Sequence, residues 1–191
     1  EAQPHIIMDN IPVPREAENT LITGGSSEEF LELLTASVQR LNSLQTDFIV
    51  IPCNTVHLFI NQLRKISGVE IISIIEETAK ECIRLSFKKV GLLASSKTVK
   101  EELHSKELNK QNIEVILPNT EEQKFISESI IRLLNGSSSL EDQKMILKII
   151  KELEDKGAQA VIIGCSDLFQ LISQNDVNLP LIDTIKVLEN V

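Results

Sequence analysis

The chain of 191 residues lacks any apolar run long enough to cross a bilayer. Its longest runs, at residues 48–52 and 160–164, fall far short of the ~20 residues a spanning helix needs. It also lacks a surplus of positive charge. Nineteen Lys and Arg stand against 28 Asp and Glu, the net charge is −9, and the basic residues are scattered. Nucleic acid is therefore not an expected partner, because phosphate binding needs a basic surface. There is no Cys-x-x-Cys pair and the three His are dispersed, so a structural zinc site has no evident ligands. The cysteines, Cys53, Cys82 and Cys165, are odd in number and follow no recognisable secretory leader, which points to the reducing cytoplasm. Low-complexity segments and long linkers are missing as well.

What is present suits a globular protein. Hydrophobic residues make up 42% and charged residues 25%. The length fits one large domain or two small ones. Short apolar runs predict strands at 5–8, 48–52, 69–74, 89–94, 113–117, 160–163 and 179–182. Between them, 3.6-residue periodicity predicts helices: one opened by a capping box at Ser26–Glu29 and running through Phe30, Leu34, Val38 and Leu41, and others over 54–65, 76–85, 95–110, 121–134, 140–156 and 166–173. A further helix follows at the C-terminus. Strands alternating with helices mean βαβ units and a parallel sheet, and continuous apolar strands mean helices on both faces. A boundary is predicted near residues 86–88, where a helix ends in polar residues and a new βα series begins.

Two segments resemble one another. Asp47-Phe-Ile-Val-Ile-Pro-Cys53-Asn-Thr and Gln159-Ala-Val-Ile-Ile-Gly-Cys165-Ser-Asp each read as a buried strand, a Pro or Gly, a cysteine, and small polar residues opening a helix. Ligands of parallel α/β sheets collect at the carboxyl ends of strands, where both cysteines are expected. A helix N-terminus there would favour a thiolate, giving a base, while the protonated thiol is an acid. Two such groups across one cleft would remove a proton from one face of an α-carbon and return one to the other. The alternative is that each cysteine is a small buried hydrophobe. Cys82, in the helical register of Ala79 and Ile83, is read that way.

Pro52-Cys53-Asn54-Thr55-Val56-His57 resembles the first cysteine motif of the aspartate/glutamate racemases, and Gly164-Cys165-Ser166-Asp167-Leu168 resembles the second. The segment from Gly91 to Thr98, the Gly157-Ala158 turn and Pro180-Leu-Ile-Asp183 add to the likeness, which covers nearly the whole chain. The resemblance implies an α/β fold of two similar doubly wound parallel-sheet domains, 1–86 plus 182–191 and 87–181, with the site in the cleft between them. It implies an isomerase: an amino-acid racemase free of metal and pyridoxal, with no cofactor, acting as a homodimer on a small amino acid such as aspartate or glutamate. Cys53 and Cys165 would be its catalytic pair. Asn54, Thr55, Ser95, Thr98 and Ser166 would hold the substrate's α-carboxylate and neighbouring atoms, and Arg15 its side-chain carboxylate. Asp167 would orient Cys165.

Several of these residues also have plainer readings. Asn54, Thr55 and Ser166 are ordinary helix N-caps, although the same N-termini attract carboxylates. Arg15 is otherwise a solvated loop charge. Asp167 otherwise complements a helix end. His57, one turn beyond Cys53, reads as structural, and His5 and His104 carry no evident signal.

The sequence departs from the family pattern in four places. Ser166-Asp167 stands where Thr-Glu is more usual. Asn135 stands where aspartate racemases usually carry a Lys for the distal carboxylate. The chain begins at what reads as a second strand, without a first βα unit, and the last helix reads as cut short at Val191. These departures keep two alternatives open: another superfamily member (hydantoin racemase, maleate isomerase or decarboxylase), or an inactive homologue that binds a small molecule.

Overall fold

The computed structural model describes residues 5–26 and 28–191. Strand and helix alternate as the apolar periodicity requires, and two parallel sheets result. The smaller pairs β1 (Phe48–Val50) with β2 (Glu70–Ile72), setting Ile49 beside Ile71. The larger consists of β3 (Lys89–Leu93), β4 (Glu114–Ile116), β5 (Ala160–Ile163) and β6 (Leu181–Asp183), in the order β4-β3-β5-β6. The strand order reverses between β3 and β5. The carboxyl ends of strands flanking such a reversal are where an α/β sheet opens a crevice.

Successive residues of a strand face opposite sides, so β3 and β5 feed two cores. Leu93, Val161 and Ile163 pack with α7 (Thr120–Leu134) and α8 (Leu140–Asp155) through Ile126, Ile130, Ile146, Ile149 and Leu153. Val90, Leu92, Ala160 and Ile162 pack the other way, against Ala79 and Cys82 of α4 (Ile74–Arg84), Leu108 of α6 (Leu103–Lys110) and Val187 of α9 (Thr184–Glu189). Both faces are covered, as the unbroken apolar runs of these strands demand. Cys82 is wholly buried in the second core. A third core joins Ile49 and Ile71 to α2 (Glu28–Ser43), α3 (Ile60–Ile66) and Leu21 of α1 (Arg15–Ile22).

The structure corrects several expectations. Residues 5–8 form no strand, and Ile6 and Met8 are 78% and 86% exposed. Among the described residues β1 pairs with β2 alone, and residues 5–8 join neither edge of that pair. The 48–52 run is buried on one face only: Ile49 points into the core, while Phe48 and Val50 are exposed. The helix expected over 95–110 is two, α5 (Ser96–Lys100) and α6, because Glu102 takes a left-handed conformation (φ 57°) that breaks the hydrogen-bond ladder. Of residues 182–191, expected with the first unit, β6 pairs with β5 in the large sheet, while α9 packs beside α4, a helix of that unit which itself covers the large sheet. The capping box expected at Ser26–Glu29 includes Ser27, which lies outside the described residues. Helix α1 was not expected at all. Its apolar positions are few, but Pro14 precedes it and Glu16 and Glu18 occupy its first turn.

Candidate active site

Each cysteine follows the carboxyl end of a parallel strand, one per sheet. After β1, the Cys53 amide donates to the Ile51 carbonyl at 2.8 Å, a tight turn centred on Pro52. After β5, the chain passes through Gly164. A Cβ on that glycine would lie 2.9 Å from Ala94 Cβ and 3.3 Å from the Leu93 carbonyl oxygen. The bare backbone lets the start of the Cys165 turn press against the end of β3, just before Ser95 caps α5.

After Cys53 a 3-10 turn runs directly into α3, so helical geometry covers the expected 54–65, whereas the segment after Cys165 is shorter than expected. Thr55–Phe59 and Ser166–Gln170 are five-residue 3-10 turns. Backbone amides at both turns favour the thiolate, as expected, but lost hydration outweighs them and both thiols are pushed up. Cys53 presents surface to solvent, yet protein crowds its other sides, and lost hydration is the largest influence on it. The backbone amides of Val56 and Thr55 pull it back, and the carboxylates of Glu18 and Asp167 push it further up. Cys165 is raised to about 12, first by lost hydration and then by the adjoining Asp167 carboxylate, with Cys53 adding to the effect. Both turns abut the end of β3: Thr55 of the first bonds Ser95 and Thr98, and the Gly164 amide ahead of the second donates to the Leu93 carbonyl at 2.8 Å. Cys165 Sγ donates to Asp167 Oδ2 at 3.7 Å, which holds it as a thiol.

Three expected residues meet here. The hydroxyls of Thr55, Ser95 and Thr98 form a closed triangle with sides of 2.9, 3.0 and 3.0 Å. All three residues are buried, Thr98 completely. Ser166 is half-buried beside Cys165. Arg15, at the start of α1, reaches across to Asn135 at the end of α7, with Nη1 2.7 Å from Oδ1. The two positions tied by resemblance to the substrate's distal end are therefore in contact, at an exposed edge.

Asn54 was expected among the substrate's ligands, but its amide turns into the protein. Nδ2 donates to Thr184 Oγ1 at 3.0 Å, and Oδ1 accepts from His104 Nε2 at 3.0 Å. His57 is structural, as read. Its Nδ1 lies 2.8 Å from the Cys53 carbonyl, and its Nε2 accepts the Ile74 amide at 3.2 Å. A carbonyl only accepts and an amide only donates, so the proton sits on Nδ1. Burial pushes His57 down to about 4 and His104 to about 3, and both are neutral.

Sequence reasoning missed His104, Thr184 and Glu18. No spacing pointed to His104, and Glu18 lay on the helix that periodicity did not reveal. Thr184 adjoins Asp183, the end of one of the segments that carried the resemblance. A groove of about 560 Å³ between α5 and α7, lined by Thr23, Val99, Lys100, Leu117 and Lys124, lies beside the cleft and includes neither cysteine. Among the described residues, no cluster of three or more His, Cys, Asp or Glu side chains converges to hold a metal, and no helix is long and apolar enough to cross a membrane.

The sequence model of the Asp/Glu/hydantoin racemase family matches residues 1–190. Over 181 residues the chain is 24% identical to the broad specificity amino-acid racemase RacX of Bacillus subtilis (strain 168), covering 95% of this chain and 77% of that protein. An aspartate racemase homologue from Pyrococcus horikoshii OT3 superposes with a TM-score of 0.72 at 28% identity, covering 84% of this chain and 73% of that one. The aspartate racemase of Picrophilus torridus superposes with a TM-score of 0.75 at 22% identity, covering 94% and 75%, and shares the fold.

Proposed function

Because the chain belongs to the Asp/Glu/hydantoin racemase family, we propose that it interconverts the enantiomers of an amino acid by two-base proton transfer between Cys53 and Cys165. The observation that supports this reading is that the two cysteine turns, each at the end of a strand from a different sheet, are drawn to the same end of the large sheet by the bonds of Thr55 to Ser95 and Thr98 and of Gly164 to Leu93. The surroundings of the two sulfurs differ. Two backbone amides favour the Cys53 thiolate, whereas one amide and an opposing carboxylate act on Cys165. In one direction Cys53 Sγ, as thiolate, takes the α-proton, and the electron pair stays on carbon. Cys165 Sγ–H then delivers its proton to the opposite face. The cycle leaves a thiol at Cys53 and a thiolate at Cys165, ready for the opposite enantiomer. Substrate displaces water from the cleft and brings an ammonium group, which eases formation of the thiolate beside it.

The substrate proposed is aspartate, glutamate or a related amino acid. Thr55, Ser95 and Ser166 hydroxyls receive its α-carboxylate, with Thr98 behind them. Arg15 meets a side-chain carboxylate by exchanging Asn135 for it. The existing Arg15–Asn135 bond and the neutral amide of Asn135 favour a second reading, in which uncharged side chains are also accepted. Action as a cytoplasmic homodimer is proposed on the family resemblance.

The test is incubation with L- and D-amino acids in deuterium oxide, followed by chiral chromatography and mass measurement. The wild type is expected to invert its substrate and place solvent deuterium on the α-carbon. Cys53→Ser and Cys165→Ser are each expected to lose about 100-fold or more in turnover, the contribution typical of a positioned proton-transfer group. Either serine variant racemising at the wild-type rate would overturn the two-base reading.

A further inference from the structure

A buried chain of hydrogen bonds links the first cysteine turn to the end of β5, the strand that leads to the second. His104 Nε2 donates to Asn54 Oδ1 at 3.0 Å, Asn54 Nδ2 donates to Thr184 Oγ1 at 3.0 Å, and Thr184 Oγ1 donates to the Ile163 carbonyl at 3.2 Å. Every group has one role in this direction, so the donors and acceptors are consistent throughout. Asn54 follows Cys53 directly, and Ile163 stands two residues before Cys165. His104 and Thr184 are fully buried and Asn54 nearly so. The participants come from the first cysteine turn, α6, the start of α9 and the end of β5.

We propose that His104 and Thr184 are positioning residues, which through Asn54 set the Cys53 turn at a fixed place relative to the Cys165 turn. The role rests on the two-cysteine reading above for its consequence in turnover. Filling space does not account for His104. Its Nδ1 is buried without a hydrogen-bond partner among the described residues, and such an orphan costs about 1–3 kcal/mol that an aliphatic side chain would avoid. What the imidazole supplies is an uncharged N–H aimed at Asn54. The amide, gripped at both ends, then has one orientation. Thr184 carries the constraint to β5 with a hydroxyl that accepts from Asn54 and donates to Ile163.

The experiment compares Thr184→Val with Thr184→Ser, and His104→Leu with His104→Gln, in the full chain. The first of each pair removes the hydrogen bond; the second keeps a hydroxyl or an N–H near the same place. Two quantities are read: the kcat and KM of racemisation, and the rate of Cys53 alkylation by iodoacetamide, located by peptide mass spectrometry. Thr184→Val is expected to lower kcat at least about tenfold with little change in KM, because misplacing one reacting group by an ångström is that costly. Its Cys53 alkylation rate is expected to shift about fivefold or more as the thiol's surroundings change. Thr184→Ser and His104→Gln are expected to restore both. Thr184→Val with wild-type kcat and wild-type alkylation overturns the proposal. If His104→Leu does not fold, the Thr184 pair decides by itself. A wild type without racemase activity would sink the proposed function, while the alkylation comparison would still decide whether the network positions Cys53.

Discussion

At single positions, the cleft depends on side chains that are small or absent. Gly164 has no room for a methyl group, since one would strike Ala94 Cβ and the Leu93 carbonyl. Gly164→Ala is expected to destabilise by about 1–3 kcal/mol, as overpacking commonly does, and to lower turnover by moving Cys165 off β3. Denaturant midpoints and steady-state rates check both effects. The thiols make a second prediction. Cys53 is raised above its ordinary value, and Cys165 to about 12, where its bond to Asp167 holds the proton. In the substrate-free protein the alkylation rate of each is expected to keep rising with pH beyond 9. A plateau for either below pH 8 would contradict the desolvation account.

Among the elements, α1 and the capped helices behave differently. Helix α1 is joined to α7 by the exposed Arg15–Asn135 bond, and exposed contacts of this kind contribute little to stability. Arg15→Ala is therefore expected to leave the unfolding midpoint nearly unchanged while raising KM for acidic amino acids more than for neutral ones. Equal KM changes for both classes would show that Arg15 does not read the side chain. Helix α8 is capped by Ser139, whose hydroxyl accepts the Asp142 amide while Asp142 returns to the Ser139 amide. Ser139→Ala is expected to cost about 1 kcal/mol, with turnover unaltered. Ser139 and Asn119 each stand three residues before an acid, the spacing of a capping box. The break at Glu102 has no such signature, because a non-glycine residue in a left-handed conformation leaves no compositional mark.

In the molecule as a whole, two buried neutral imidazoles tie stability to pH. An unfolded histidine titrates near 6.5, but His57 is held down to about 4 and His104 to about 3, chiefly by burial. The folded state therefore binds fewer protons than the unfolded state below pH 6.5. Stability is full above that value and falls as pH drops towards 4, by on the order of a few kcal/mol. Urea midpoints at pH 7.5, 5.5 and 4.5 measure the loss. The ring protons of both histidines, followed by NMR, should not titrate between pH 8 and 5.5. Titration near 6.5 would mean that the imidazoles are hydrated and the sign argument fails.

The order of residues alone determined the α/β class, the alternation of strands and helices, the two strand–cysteine turns and the burial of Cys82, because these follow from local periodicity and from the few residue types that end strands and open turns. Tertiary structure decided the rest. Whether β1 is covered on both faces depends on its neighbours. That β6 joins the large sheet depends on which strand edge stands free. The raised thiols depend on crowding by residues far away in the chain, and the inward turn of Asn54 depends on His104 and Thr184, 50 and 130 positions distant. Burial and long-range hydrogen bonding are properties of the assembled chain, and no window of sequence contains both partners.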